Sequence, residues 1–291
     1  MTDYFLYSGE INAHNGIEFI DIVDSAQSST NVAIVLSTFG GDAGAAYKMG
    51  KYLQSKYENV KIFIPGYCKS AGTILAVAAS ELIFSPIGEL GPLDVQMAKK
   101  NDTIEGESGL DSFWALDELE KKAKNMFFGV KERIVNESRG VISFPVASHS
   151  ASEIVSALFG PIFAKLDLAK FGDSARSMEV ASRYCERLNY KYENLGNREI
   201  PNIDVAYVLH FLTWKCPSHG FVIDVDEAKV LFKNVRVANE HEEELVKQYR
   251  IPSMETKIEV ITDEFQKLEN KEAKNSQTTS NEKNQESRDT A

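Results

Sequence analysis

Val60-Lys61-Ile62-Phe63-Ile64-Pro65-Gly66-Tyr67-Cys68-Lys69-Ser70-Ala71-Gly72-Thr73-Ile74-Leu75-Ala76-Val77-Ala78-Ala79 is the stretch whose pattern sets the architecture. Up to Pro65 it alternates apolar residues with others and is rich in β-branched types, the pattern of a strand. From Ala71 to Ala79 only Gly72 and Thr73 interrupt an apolar run, which reads as a buried helix. A strand therefore turns sharply into a helix at Ser70, where the first helical N–H groups have no intrahelical acceptor. Such a turn offers a hydroxyl and free amides to ligand space, an arrangement that stabilises negative charge on a carbonyl oxygen. A serine there is equally an ordinary helix cap, and the turn alone leaves both readings open.

Upstream, Val32-Ala33-Ile34-Val35-Leu36-Ser37-Thr38-Phe39-Gly40-Gly41-Asp42 reads as a second buried strand ending in a paired-glycine turn before another helix. Paired glycines let backbone approach a ligand closely, and they can equally serve as a plain turn. Strands expected near 3–8, 32–37, 60–64 and 82–85 alternate with helices near 15–27, 43–56 and 71–80, the rhythm of an α/β sheet with crossovers. From Ser112 the pattern turns mostly helical, with segments near 112–128, 151–166, 174–189 and 203–214, a short helix at Asp226 and a last strand at Val235-Arg236-Val237.

Taken in order, Tyr7-Ser8-Gly9-Glu10-Ile11-Asn12, Ser37-Thr38-Phe39-Gly40-Gly41-Asp42, Lys69-Ser70-Ala71-Gly72-Thr73 and Glu89-Leu90-Gly91-Pro92-Leu93-Asp94 resemble the fold shared by the Clp protease proteolytic subunit, signal peptide peptidase A and the crotonases. The likeness is greatest to the serine dehydrogenase proteinase family, and it extends through Ser177-Met178-Glu179-Val180-Ala181 and Pro217-Ser218-His219-Gly220-Phe221 over about residues 3 to 240. It implies a ClpP/crotonase-like α/β fold with repeated ββα units and a mostly helical C-terminal half. It also implies a serine peptidase acting on polypeptide without a cofactor. Ser70 would be the nucleophile, Gly41 and Ala71 would supply oxyanion-hole amides, and Gly40 would shape that loop. Subunits of this superfamily commonly pack into rings, so a homo-oligomer is expected. Two other functions stay open: an inactive assembly or binding protein on the same fold, and a crotonase-like acyl-CoA enzyme.

A serine hydroxyl needs a base to take its proton. The position that holds the histidine of the Clp subunit aligns with Leu93 or Asp94 here, and the lysine of signal peptide peptidase A would map to the polar run containing Lys99 and Lys100. Lys69 should point away from its neighbour Ser70. His219, in the turn-rich Cys216-Pro217-Ser218-His219-Gly220, is the candidate base, since imidazole suits proton transfer near neutrality. His149 precedes Ser150-Ala151-Ser152-Glu153, whose spacing predicts a helix capping box. His14, His210 and His241 carry no motif. Cys68, Cys185 and Cys216 are an odd set without metal-type spacing, so neither a disulfide framework nor zinc is indicated, and Cys68 reads as a packed thiol.

With 32 basic against 43 acidic residues the net charge is −11, which disfavours nucleic acid and anionic membrane as partners. The opening Met1-Thr2-Asp3-Tyr4 lacks the charged and apolar regions of a secretory leader, and no run approaches the roughly 18 apolar residues of a spanning helix. The expectation is a cytoplasmic protein without membrane insertion. Its expected organisation is a catalytic core over 1–110, a helical continuation with oligomer contacts over 111–240, a C-terminal helix over 241–268 and a disordered tail over 269–291. Phe113, Trp114, Phe127 and Phe128 mark a helix that either meets another subunit or packs in the core.

Overall fold

The computed structural model describes residues 1–93, 96–97 and 107–265. Lys99, Lys100, Asp94 and the tail over 269–291 lie outside them. The chain divides into one compact unit formed by residues 1–93 and 179–291 and a second formed by 94–178.

In chain order the first unit begins β1 (Asp3–Ser8), α1 (Ala13–Ala26), β2 (Asn31–Ser37), α2 (Ala43–Lys56), β3 (Asn59–Ile64), β4 (Tyr67–Cys68), α3 (Ala71–Val77), β5 (Glu81–Phe84) and β6 (Glu89–Leu90). The second unit holds β7 (Gln96–Met97), β8 (Glu107–Ser108), α4 (Gly109–Glu137), α5 (Phe144–Phe163) and the start of α6 (Leu168–Asn189). The first unit then resumes with α7 (Val205–His210), a π-helical turn (Phe211–Lys215), α8 (Val225–Leu231), β9 (Val235–Val237), α9 (Glu240–Val246) and β10 (Lys257–Val260).

The central sheet runs β10-β1-β2-β3-β5-β9, parallel throughout except for β10, which pairs antiparallel with β1. Its inner strands are buried on both faces, so they read as continuous apolar runs. Phe5, Tyr7, Ile34, Leu36, Ile62, Ile64, Leu82 and Phe84 fill a core with α1, α2 and α3. The alternate residues Tyr4, Leu6, Ala33, Val35, Phe63 and Ile83 pack with Val246, Ile261 and Phe265, as the two-residue period of a strand requires. On α6, Ala181, Cys185 and Leu188 join the first core.

After each of β1, β2, β3 and β5 the chain makes a short second extended step. These steps bond side by side, Ile11 with Gly41, Thr38 with Cys68, β4 with β6, and Leu90 with Ile223. The strand, extended step and helix recur as the ββα unit, and the ladder formed by the second steps collects the loops at the carboxyl ends of the parallel strands. Ligands of open α/β sheets bind at that end.

Several expectations are corrected. The region 241–268 is not one helix: α9 is short, and Lys257–Val260 forms the edge strand β10, so Val235–Val237 is not the last strand. Ser150 does not start a helix, because α5 begins at Phe144 with Pro145 in its first turn, leaving His149 to face Glu153 at 3.5 Å along one exposed helix face. Helix 203–214 is split, since α7 gives way to the π-helical turn. In the second unit Trp114 and Phe128 are exposed rather than packed into a core, and Lys131 Nζ sits 4.7 Å and 4.6 Å from the Phe128 and Phe144 ring centres.

Candidate active site

The helices after β1 and β2 open on capping side chains. Asn12 accepts from the Asn15 amide, and Asp42 accepts from the Ala45 amide at 2.6 Å. The helix after β4 departs from this pattern. Ser70 stands at its N-cap with φ 52 and ψ −113, and its hydroxyl makes no capping bond. A side-chain-bearing residue in that backbone region carries about 1–3 kcal/mol of strain, a cost that persists only where the surroundings impose it.

The imposing contacts are visible. The Thr38 amide donates to the Tyr67 carbonyl at 2.8 Å, the Lys69 amide to the Thr38 carbonyl at 3.0 Å and the Gly72 amide to the Lys69 carbonyl at 2.8 Å. Both flanks of Ser70 are thus anchored. The Thr73 hydroxyl donates to the Gly91 carbonyl at 2.7 Å, fixing the first turn of α3 to the segment after β6. Ser70 itself is half-buried, so its side chain is not sealed inside.

Gly40 and Gly41 come against this turn. Gly40 has φ +112, and a Cβ built on it would lie 2.7 Å from Ser70 Cβ and 3.3 Å from the Ala71 nitrogen. Its own amide is engaged, donating to the Thr38 hydroxyl at 2.9 Å. Gly41 has φ +135 and runs so close to Ile11 that a Cβ would fall 2.0 Å from the Ile11 carbonyl oxygen. In the bridge between Ile11 and Gly41 the Ile11 amide donates to the Gly40 carbonyl and the Asp42 amide to the Ile11 carbonyl, which leaves the Gly41 amide out of the ladder. Among the described residues neither the Gly41 amide nor the Ala71 amide has an acceptor. The sequence thus brings Ser70, Gly40, Gly41 and Ala71 together from loops 30 positions apart.

Lys69 points away from Ser70. Its ammonium pairs with Glu89 Oε1 at 2.8 Å and donates to the carbonyls of Phe221 at 3.1 Å and Leu90 at 3.3 Å. Sequence reasoning foresaw the direction but not these partners, because nothing in a spacing of 20 residues announces an ion pair. His219 is half-buried in the loop after the π-helical turn, two residues before Phe221. Cys68 is fully buried, and burial pushes its thiol far above the ordinary cysteine range, as expected of a packed thiol. Among the described residues no cluster of His, Cys, Asp and Glu could hold a metal, and no helix is long and apolar enough to cross a membrane.

Residues 11–104 match the family of ClpP-like SDH-type serine proteinases. A curated relative, an uncharacterized protein of Methanocaldococcus jannaschii, is 23% identical over 168 residues, covering 50% of this chain and 59% of its own. The chain thus spans about three fifths of that relative. Two solved structures of the membrane-bound stomatin-specific protease 1510-N are each 20% identical. A serine-to-alanine mutant (TM-score 0.29) covers 49% of this chain and 65% of its own, and a lysine-to-alanine mutant with a substrate peptide (TM-score 0.30) covers 41% and 57%. The ClpP-like assignment of the fold rests on the matched segment and on the ββα repeats.

Proposed function

We propose that this chain, whose residues 11–104 match the ClpP-like SDH-type serine proteinases, is a serine peptidase with Ser70 as nucleophile. Ser70 Oγ attacks a peptide carbonyl as a base takes its proton. The carbonyl oxygen gains negative charge and is received by the Gly41 and Ala71 amides, while Gly40 shapes their approach. The C–N bond breaks, the leaving amine takes the proton from the base, and water then hydrolyses the acyl-enzyme. Removing one donor of such a hole elsewhere costs about 10²–10³ in rate, so two amides without acceptors beside Ser70 would be a large catalytic asset.

The observation that carries this reading is the strained, uncapped Ser70 beside two amides that lack acceptors among the described residues. A serine kept merely for capping would hold a cap bond. His219 is proposed as the base, from its place on the segment that continues into the Phe221 and Ile223 contacts with Lys69 and Leu90. The exposed aromatic and aliphatic side chains of α4 and α5, Trp114, Phe128, Phe144, Ile154 and Leu158, support assembly into a homo-oligomer.

A fluorophosphonate probe tests the centre of the proposal. It should label the wild-type chain and not Ser70→Ala, and His219→Ala should label more slowly while keeping the wild-type melting profile. Labelling that survives Ser70→Ala removes the nucleophile. Unchanged labelling of His219→Ala removes that base and turns the search to Lys99 and Lys100.

A further inference from the structure

Lysines are rarely buried unless paired, yet Lys69, immediately before Ser70, is 7% exposed. Its side chain and that of Glu89 retain 9% and 15% of their exposure, and Glu89, Leu90 and Phe221, which receive the ammonium, all lie on segments other than its own. Glu89 and Leu90 belong to β6, and Phe221 belongs to the loop that follows the π-helical turn. The two target segments are themselves joined, since the Leu90 amide donates to the Ile223 carbonyl at 2.9 Å and the Ile223 amide to the Leu90 carbonyl at 3.1 Å. Gly91 leaves room for the lysine stem, because a Cβ there would lie 2.6 Å from Lys69 Cδ.

A buried ion pair is a poor source of stability, since two charges must be stripped of water and an apolar pair of similar volume does as well or better. What it supplies is direction. An ammonium satisfied only when one carboxylate and two carbonyls converge on it fixes three segments against one another. We propose that Lys69 and Glu89 are positioning residues for the Ser70 reaction, a buried ionic clamp that locks the nucleophile turn to β6 and draws in the loop carrying His219. The proposal rests on the reading of Ser70 as nucleophile. Lys69 acts through its neighbours and does not touch the reacting atoms.

The decisive variant is Lys69→Met/Glu89→Leu, which removes both charges together and leaves neither stranded. It should melt at or above the wild-type temperature, yet Ser70 should react with the fluorophosphonate probe on the order of 10²-fold more slowly, the penalty of misplacing reacting groups by about 1 Å. Lys69→Arg, which keeps the charge and can still reach Glu89, should recover part of the rate. Hydrogen exchange at the Ile223 amide should quicken in the double variant and not in Lys69→Arg. A double variant that is folded, reacts at the wild-type rate and protects Ile223 as before overturns the clamp. Should the double variant fail to fold, Lys69→Met/Glu89→Gln carries the same comparison, again with neither charge stranded. A wild-type chain that the probe never labels defeats the serine reading instead, and Ile223 exchange in the double variant still decides whether the clamp exists.

Discussion

Replacing Ser70 with glycine should make this protein more stable, although it removes the proposed nucleophile. At φ 52 and ψ −113 Ser70 occupies backbone space that a Cβ disfavours by about 1–3 kcal/mol and glycine accepts freely. Against this gain stands the greater freedom of glycine in the unfolded chain, about 0.5–1 kcal/mol. No capping bond is lost, because the Ser70 hydroxyl makes none. The net is a gain of up to roughly 2.5 kcal/mol, and with about 2–4 °C per kcal/mol for a chain of this size the midpoint should rise by a few degrees. The measurement is equilibrium urea unfolding and calorimetry of wild type, Ser70→Ala and Ser70→Gly. Ser70→Ala keeps the Cβ and its strain, so the two variants separate backbone relief from hydroxyl loss. Gly40→Ala supplies a cross-check. Its new Cβ would meet Ser70 Cβ at 2.7 Å, so its cost should shrink in the Ser70→Gly background, though the φ of +112 and the Lys69 carbonyl at 2.9 Å keep it above zero. If Ser70→Gly unfolds at the same denaturant concentration as Ser70→Ala, or earlier, the turn is not strained and the argument from stored strain to catalysis fails.

Gly41→Ala should be the most damaging change in the same loop, because its Cβ would fall 2.0 Å from a backbone oxygen that cannot swing aside. With overpacking and a positive φ together, a loss of about 2–6 kcal/mol is expected by urea unfolding, and a loss under 1 kcal/mol would mean that the loop relaxes as no packed backbone should. The Arg236–Glu242 pair gives a pH prediction. Burial pushes the Glu242 carboxyl up, but hydrogen bonds from Arg236 and from the Asn239 amide, aided by the charges of Arg236 and Lys61, outweigh it and hold the group below its ordinary 4.5. A lowered folded-state value means stability that is present above about pH 4.5 and lost as pH falls through the depressed value. Arg236→Gln should therefore lower stability near neutrality and lessen its acid dependence, as read by urea unfolding from about pH 6 to about pH 3. Parallel curves for the two proteins would rule the pair out as a source of acid sensitivity.

The strands β1, β2, β3 and β5 were legible because a parallel strand buried on both faces must be an unbroken apolar run, and such runs stand out between glycine and proline turns. The edge strand β10 was not. Lys257-Ile258-Glu259-Val260 is short and largely exposed, and only its pairing with β1 makes it a strand. Ser150 and Glu153 misled for a related reason: a capping spacing has meaning only where a helix starts, and Pro145 had already started one. At the site, the two turns and the family resemblance nominated Gly40, Gly41, Ser70 and Ala71, and the structure sets Gly40 against Ser70 and Ala71. The backbone conformation of Ser70, the Thr38 hydroxyl that occupies the Gly40 amide and the Lys69–Glu89 pair depend on distant segments meeting, and no local pattern encodes them.

The last strand also dates the assembly of the site. The Tyr67 amide donates to the Arg250 carbonyl at 3.2 Å, Gly66 packs on the same carbonyl, and the Ser253 amide donates to the Ser8 hydroxyl just ahead of β10. A growing chain that has not yet released these residues from the ribosome has an open edge at β1 and an unsupported approach to Ser70. The approach to Ser70 is therefore braced only once residues 250–260 are in place, and a nascent segment without them carries the same loop residues without the contacts that hold them.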